Sequence, residues 1–195
     1  MKRALLLATA ALAGLSVVTT TAPAQEPDQE AMMAAYMKAA TPGAEHEKLV
    51  ATAGAYTTAT RWWPAPGAPP EDATGSAERS TILGGRYVVE KYSGTMMGMP
   101  FEGMGITGYD NVEQKYVTIW VDNMSTGIFR MLGEADDNGN LVFTGEYKDP
   151  VSGETKTMRS VSSPAAGGEK FEMYEVAADG SEFKVFEIVY TKATS

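Results

Sequence analysis

Two patterns of hydrophobic and polar positions divide the chain near Gly54. Before this point, residues 29–40 are good helix formers, and residues 44–51 can form a second short helical turn with Leu49 and Val50 facing inward. In the first segment, the apolar side chains recur at the i, i+3, i+4, i+7 spacing of one helix face: Met33, Tyr36, Met37 and Ala40. We therefore predict a short N-terminal helical segment whose methionine face packs against the rest of the fold.

After Gly54, apolar and polar residues alternate, which indicates strands. The segments are short and evenly spaced, and turn-forming residues such as Asp137-Asn138-Gly139 separate them. The predicted strands are 54–63, 74–83, 86–94, 101–109, 115–122, 125–134, 140–147, 154–163, 169–177 and 182–192. Because an open sheet of this size would leave two long edges, closure into a barrel is favoured. We predict a mainly β protein, an antiparallel up-and-down β-barrel of about ten strands.

The N-terminus predicts export. Lys2 and Arg3 precede an apolar run over residues 4–18, and the small residues of Ala22-Pro23-Ala24 follow as a cleavage site. The run is shorter than the ~20 residues that a spanning helix needs, so we predict no membrane span. Residues 1–24 are interpreted as a signal peptide cleaved near Ala24, residues 25–40 as a tail and helix, and residues 41–195 as a single barrel domain. The mature protein is then periplasmic or extracellular.

Charge and composition exclude several functions. The chain has 16 basic and 25 acidic residues, and its net charge of -9 disfavours nucleic acid and anionic lipid surfaces as partners. It has no cysteine, which excludes disulfides, thiolate nucleophiles and cysteine-bound zinc. The one histidine, His46, lies between two glutamates in the helical segment. One histidine completes no metal set, so we interpret it as a structural hydrogen-bonding group and predict no metal, no cofactor and no catalytic residue.

Two segments match known binding motifs by residue type, but a strand and a turn explain them better. Gly103-x-Gly105-x-x-Gly108 matches a dinucleotide fingerprint, but no helix is predicted after it and no βαβ unit surrounds it. Residues 136–140 resemble the start of a calcium loop, but the acidic residue at the twelfth loop position is missing. We therefore predict a glycine-containing barrel strand and a hairpin turn.

Candidate pocket residues come mainly from the hairpin over residues 100–122. Its two strands carry aromatic residues on one face and end in an aspartate, and Arg86 follows a Gly-Gly turn just before. The candidate ligand-binding set is Arg86, Phe101, Tyr109, Tyr116, Trp120 and Asp122. Plain core packing is the alternative for the aromatic residues. Other charged residues within strands, such as Glu90 and Glu187, are expected on the solvent face.

The second strand of this hairpin, residues 115–122, is apolar on both faces, which implies burial on both sides. One side would be the barrel interior. The other would be covered by the N-terminal helix or by a partner subunit, so a homodimer is one alternative.

Several short motifs follow one another along the chain. They are Glu45-His46-Glu47-Lys48-Leu49, Ala53-Gly54-Ala55-Tyr56, Trp62-Trp63-Pro64, Leu83-Gly84-Gly85-Arg86-Tyr87, Met99-Pro100-Phe101-Glu102-Gly103, Gly108-Tyr109-Asp110 and Trp120-Val121-Asp122. In this order they resemble an uncharacterised bacterial family, domain of unknown function 1579, over roughly residues 36–193. The resemblance implies a calycin-like barrel, similar in shape to lipocalins and fatty-acid-binding proteins, with an internal cavity. It implies no activity. Tyr56 departs from the family pattern, which leads us to expect tryptophan there.

Three functions are compatible with these observations. The first is a periplasmic barrel that binds a small apolar or amphipathic molecule, with aromatic and methionine side chains around the cavity. The second is a structural or interaction module of the cell envelope with a filled barrel. The third is a metal-free enzyme, which requires Arg86, Tyr109 and Asp122 to converge at one mouth. We place the binding protein first and the enzyme last.

Overall fold

The computed structural model describes residues 28–194, so the predicted signal peptide lies outside the described residues. Two helices precede ten strands. The helices are α1, Gln29–Ala40, and α2, Ala44–Val50. The strands are β1 Gly54–Trp62, β2 Glu71–Ile82, β3 Tyr87–Met96, β4 Met99–Asp110, β5 Lys115–Asp122, β6 Phe129–Ala135, β7 Leu141–Lys148, β8 Thr155–Ala165, β9 Gly168–Val176 and β10 Glu182–Lys192.

The strands form a closed antiparallel barrel in which each strand pairs with its sequence neighbours and β1 pairs with β10. This confirms the predicted fold. Closure leaves no strand edge of this sheet unpaired, which is the physical reason for expecting a barrel from so many short strands. The turn predicted over residues 136–140 connects β6 to β7, and Gly103, Gly105 and Gly108 all lie within β4, as predicted.

The two ends of the barrel differ. At one end, which we call the closed end, α2 leads into β1 and packs against β3 and β4. Leu49 of α2 is buried there, as predicted, whereas Val50 is exposed and its predicted inward position is wrong. At the opposite end, which we call the far end, β1 finishes at Trp62 and β5 finishes at Asp122.

Buried residues inside the barrel form two clusters. The first lies under α2 and along β3 and β5 to β8, and consists of Leu49, Val88, Tyr116, Met131, Phe143 and Met158. The second lies along β1 to β4 and β10, and consists of Tyr56, Ala77, Tyr92, Phe101 and Tyr190. Residues paired across neighbouring strands lie on the same face of the sheet, and every second residue of a strand lies on that face. The buried residues, followed through the strand pairing, therefore show which residues of each strand face inward.

Helix α1 does not pack as the sequence predicts. Its methionine face is exposed, with Met33 57% and Tyr36 68% accessible, and none of its residues is buried. Within residues 28–194, the hydrogen bonds that join the helix to the barrel lie near its C-terminus. There Asn111 donates hydrogen bonds to the carbonyls of Ala39 (3.1 Å) and Thr41 (2.8 Å). The i, i+3, i+4 spacing therefore describes a helix face, but the barrel does not cover that face.

Candidate functional site

Five of the six candidate residues share the inward face of the β4–β5 hairpin. The register pairs Tyr109 with Tyr116 and Gly105 with Trp120. Gly103 pairs with Asp122, and Phe101 lies two residues before Gly103 on the same face of β4. Strand alternation alone puts these residues on one side, and the buried positions of Phe101 and Tyr116 show that this side is the interior.

The hairpin nevertheless separates these residues into two groups. Tyr109 and Tyr116 lie at the closed end, whereas Phe101, Trp120 and Asp122 lie toward the far end. Asp122 is six residues along β5 from Tyr116, which is about 20 Å at roughly 3.3 Å per residue. A catalytic group built from Tyr109 and Asp122 is therefore not assembled.

Arg86 lies in the turn before β3, outside the barrel interior. Its guanidinium donates to the carbonyl of Leu83 at 3.0 Å and to the carbonyl of Ala40 at 2.6 Å. Both bonds are to backbone oxygens, and the second one ties the end of α1 to the barrel. Arg86 and Asp122 lie at opposite ends of the barrel, so the convergence of Arg86, Tyr109 and Asp122 at one mouth, which an enzyme would require, does not occur.

At the closed end, α2 lies over the two tyrosines. The Tyr116 hydroxyl donates to Glu45, and the Tyr109 ring meets His46 edge-on with ring centroids 5.9 Å apart. His46 is buried, and its Nδ1 accepts the backbone N–H of Gly43 at 3.1 Å. Burial, and then the bond to Glu45, raise the pKa of Tyr116 above its ordinary value. Tyr116 therefore stays a neutral donor that fastens α2 over this end.

The far end contains an ordered aromatic surface. The Phe101 and Trp120 rings are nearly parallel, at 17° with centroids 6.4 Å apart. The Trp120 indole N–H donates to Asp122 Oδ2 at 2.9 Å, and the backbone N–H of Met124 donates to Asp122 Oδ1 at 2.9 Å. Asp122 therefore holds the indole in place with one oxygen and the following turn with the other.

The Trp120 ring lies against a part of the barrel wall that is formed by glycine residues of β4. A Cβ atom added at Gly103 would overlap the Trp120 ring, and one added at Gly105 would lie 3.3 Å from it. The two glycines thus let the indole lie along the β4 wall instead of pointing across the barrel.

The interior also contains an ionic cluster that the sequence analysis missed. The guanidinium of Arg79 donates to Glu90 at 2.6 Å and to Glu169 at 2.8 Å, with side-chain exposures of 10%, 14% and 20%. The Arg79 guanidinium also lies over the Tyr190 ring, 4.5 Å from its centroid, and over the Tyr56 ring at 5.1 Å. Glu90 was expected on the solvent face, and that expectation is wrong.

Electrostatics stabilise the charged form of Arg79. Burial alone would lower its pKa, but Glu90 and Glu169 outweigh burial and hold the pKa above its ordinary value. Tyr190 donates to Glu90 Oε1 at 3.1 Å, and burial, followed by the Glu90 charge, raises the pKa of its hydroxyl. A signal was present in the sequence, since Glu90 shares its strand face with Val88 and Tyr92, which are apolar and buried.

A second inward-facing ion group lies at the far end. Lys156 lies 3.0 Å from Glu175 and 3.3 Å from Asp149. Its hydrogen bonds to Glu175, and then to Asp149, raise the pKa of the ammonium group. Tyr147 pairs with Lys156 across β7 and β8, and its ring meets the Phe129 ring edge-on with centroids 6.1 Å apart.

Two surface pockets lie outside the barrel interior. One, of about 480 Å³, lies between the end of α1 and the closed end, with Met37, Tyr109 and Asn111 among its lining residues. The other, of about 410 Å³, lies on the outer wall under the connection from β1 to β2, residues 63–70, beside Trp63 and Lys184. Among residues 28–194, no group of three or more histidine, aspartate or glutamate side chains is arranged to hold a metal ion.

Residues 41–192 match the family described as a protein of unknown function, DUF1579. The chain belongs to this family. The matched segment omits α1 but includes α2 and all ten strands, so the family covers the closed barrel and the helix over its end. The resemblance found from the sequence motifs is confirmed, and the barrel agrees with its calycin-like character. No curated protein matches the chain.

None of the helices within residues 28–194 is long and apolar enough to cross a bilayer.

Proposed function

We propose that this DUF1579 protein is an exported binding protein, which takes a small amphipathic molecule into its barrel through the far end. The observation that carries the proposal is the aromatic surface on the inner wall, where the rings of Phe101 and Trp120 are stacked and Asp122 orients the Trp120 indole. Aromatic walls with few polar groups are typical of small-molecule sites. Export rests on the predicted signal peptide over residues 1–24.

Partial burial of inward-facing residues supports an accessible interior. Side chains that completely fill a barrel would bury the inward positions in the middle of the strands. Here several of these positions remain partly exposed: Thr107, Thr118, Ser162, Phe171 and Met173. Of these, Phe171 packs, as Trp120 does, against the second buried cluster and Met173 against the first, so partly exposed interior surface adjoins both clusters.

The difference between the two ends supports entry at the far end. Helix α2 covers the closed end through Glu45, His46 and Leu49, and two of these three residues are buried. No helix of residues 28–194 lies over the far end, where Trp120 is only partly buried.

A neutral fluorescent probe tests the proposal. N-phenyl-1-naphthylamine becomes bright in apolar sites, so we expect saturable binding to the purified protein. Gly103→Ala should weaken binding strongly, because the added methyl group pushes the indole of Trp120 off the wall. Gly105→Ala is the matched control, since it lies on the same strand beside the same ring with a 3.3 Å contact that only a small shift of the indole relieves, and it should weaken binding much less.

Trp120→Phe gives a second measurement if Gly103→Ala does not fold. It removes the N–H donated to Asp122 but keeps an apolar ring, and it should weaken probe binding with little change in circular dichroism. A wild-type protein that neither brightens the probe nor carries a ligand in native mass spectra would refute a binding function.

A second candidate function rests on α1. The helix leaves its methionine face exposed, including Met33 and Met37. Exposed apolar surface of this kind is typical of interaction sites. A protein that fails to bind the probe but self-associates through α1 would favour the interaction module of the cell envelope. Cross-linking of the intact protein, compared with a Met33→Glu variant, measures this.

A further inference from the structure

We infer that the molecule taken into the barrel carries a positive charge, so that the ligand class is a cationic amphiphile such as an alkylamine or a quaternary ammonium compound. This inference rests on the proposed binding function. It comes from the charges and aromatic rings that the folded barrel places inside, most of which are far apart in the sequence.

Acidic side chains outnumber basic ones among the partly or fully buried residues of the inner wall. Within residues 28–194, the inward-facing positions of the strands themselves that are not exposed carry two basic side chains, Arg79 and Lys156. They carry four acidic ones: Glu90, Asp122, Glu169 and Glu175. The inner wall is therefore net negative, and its interior favours a cation over an anion.

Both inner basic side chains already have carboxylate partners. Arg79 donates three hydrogen bonds, one to Glu90 and two to Glu169. Lys156 contacts Glu175 and Asp149. An anionic head group would have to compete with these carboxylates at either cation and would leave them without their partner, which is costly in a partly buried site.

The far end has the chemistry that recognises organic cations. Trp120 and Phe129 are paired on β5 and β6, and Tyr147 meets Phe129 edge-on at 6.1 Å. The faces of such rings attract alkylammonium groups, and tryptophan attracts them most strongly. Glu175 lies on the inward face near Tyr147, because Lys156 pairs with Tyr147 in the ladder and lies 3.0 Å from Glu175. Lys156 with Glu175 and Asp149 makes a group of one positive and two negative side chains, which keeps a net negative charge. The rings and this group together form a site for a positively charged head group attached to an apolar body.

Three probes with the same twelve-carbon chain test the inference. Dodecyltrimethylammonium, dodecanol and dodecanoate are titrated below their aggregation concentrations against protein loaded with N-phenyl-1-naphthylamine, and displacement is measured. We expect the cation to bind at least about tenfold more tightly than dodecanoate, with the alcohol between them, since about tenfold corresponds to one modest electrostatic contact.

A pair of variants separates the inner site from the general acidity of the protein. Glu175→Gln removes an inward-facing negative charge and should weaken binding of the cation. It should strengthen binding of dodecanoate, because Lys156 loses one of its carboxylate partners. Glu146→Gln removes the same charge from an exposed position on the outer face of β7 and should change neither affinity.

The outcomes are distinguishable. If none of the three probes displaces the dye and the dye itself does not bind, the binding function fails. If dodecanoate binds as tightly as the cation, the binding function stands and the inference about charge is overturned. Equal effects of Glu175→Gln and Glu146→Gln would also overturn it, because they would show attraction to the acidic surface only.

Discussion

Arg79 Nη1 lies 2.8 Å from Glu169 Oε2 inside the barrel, although 90 residues separate them in the chain. Strand β2 supplies the arginine, and β9 supplies the glutamate from the opposite side of the β1–β10 pair. The contact exists only because β1 and β10 close the sheet, and it joins a third group, Glu90, in one cluster.

Removing the cation from this cluster should destabilise the fold. Arg79→Met keeps most of the side-chain volume but leaves Glu90 and Glu169 partly buried without a partner. We expect a loss of about 3–5 kcal/mol in the free energy of unfolding, as is typical when one member of a buried ion pair is removed. Urea denaturation followed by circular dichroism measures it. Arg61→Met is the control, because the Arg61–Asp72 pair is exposed and its loss should leave the urea midpoint unchanged. Equal midpoints for the two variants would contradict a stabilising role for Arg79.

The hydrogen bond between Tyr116 and Glu45 should hold α2 over the closed end. Tyr116→Phe removes the hydroxyl that donates to Glu45, and we expect a cost of about 1.5 kcal/mol, as for a hydrogen bond to a charged group. Combined with Glu45→Gln, the two losses should be less than additive in a double-mutant cycle. Tyr87→Phe serves as the control, since Tyr87 is exposed. Fully additive losses would show that the two side chains do not interact.

Asn111 should determine how firmly the C-terminal turn of α1 is attached. Its amide donates to carbonyls at the end of α1, which have no partner within the helix. In Asn111→Ala, amide hydrogen exchange over residues 29–40 should become faster while exchange in β1 to β10 is unchanged. Asn123→Ala is a matched control, since Asn123 bridges Glu102 and Pro100 at the other end of the hairpin. Faster exchange of α1 in both variants, or in neither, would contradict an anchoring role specific to Asn111.

Asp149 should make stability depend on pH in the acid range. The backbone N–H groups of Ser152 and Val151 each donate to its Oδ1 at 2.8 Å, and they hold the pKa of this carboxyl at about 2, below its ordinary 3.8. Because the folded-state pKa is the lower one, the stabilisation is present above pH 3.8 and is lost as pH falls toward 2. Carboxyl chemical shifts in an NMR titration should give a midpoint near 2, and Asp149→Asn should lose that part of the acid dependence of its melting temperature. A midpoint near the ordinary value would show that these donors do not favour the charged form.

The barrel itself could be predicted because its signals are local. Turn residues such as Asp137 and Gly139 lie between segments of alternating polarity, and both properties can be counted along the chain. The same alternation places Phe101, Tyr109, Tyr116, Trp120 and Asp122 on one face of a hairpin, and the structure places that face inward.

Errors arose where a residue's role depends on a distant partner. Glu90 was expected on the solvent face because a lone carboxylate is seldom buried, but Arg79 and Tyr190 supply its partners. The methionine face of α1 was expected to be covered because apolar helix faces usually are. Whether a neighbouring element reaches that face depends on the direction in which Asn111 and Arg86 hold the helix end, which no local pattern encodes.

The sequence by itself determined the strands, the turns and the closed antiparallel barrel, because strand alternation and turn chemistry act between near neighbours. The tertiary structure decided which end α2 covers, which charges meet inside, and that Trp120 lies along the glycine-lined wall. These depend on the register around a closed sheet, which brings together residues as far apart as Arg79 and Glu169. Register is a property of all ten strands together, so the set of residues that meet in the candidate site depends on the closed barrel and not on any local pattern.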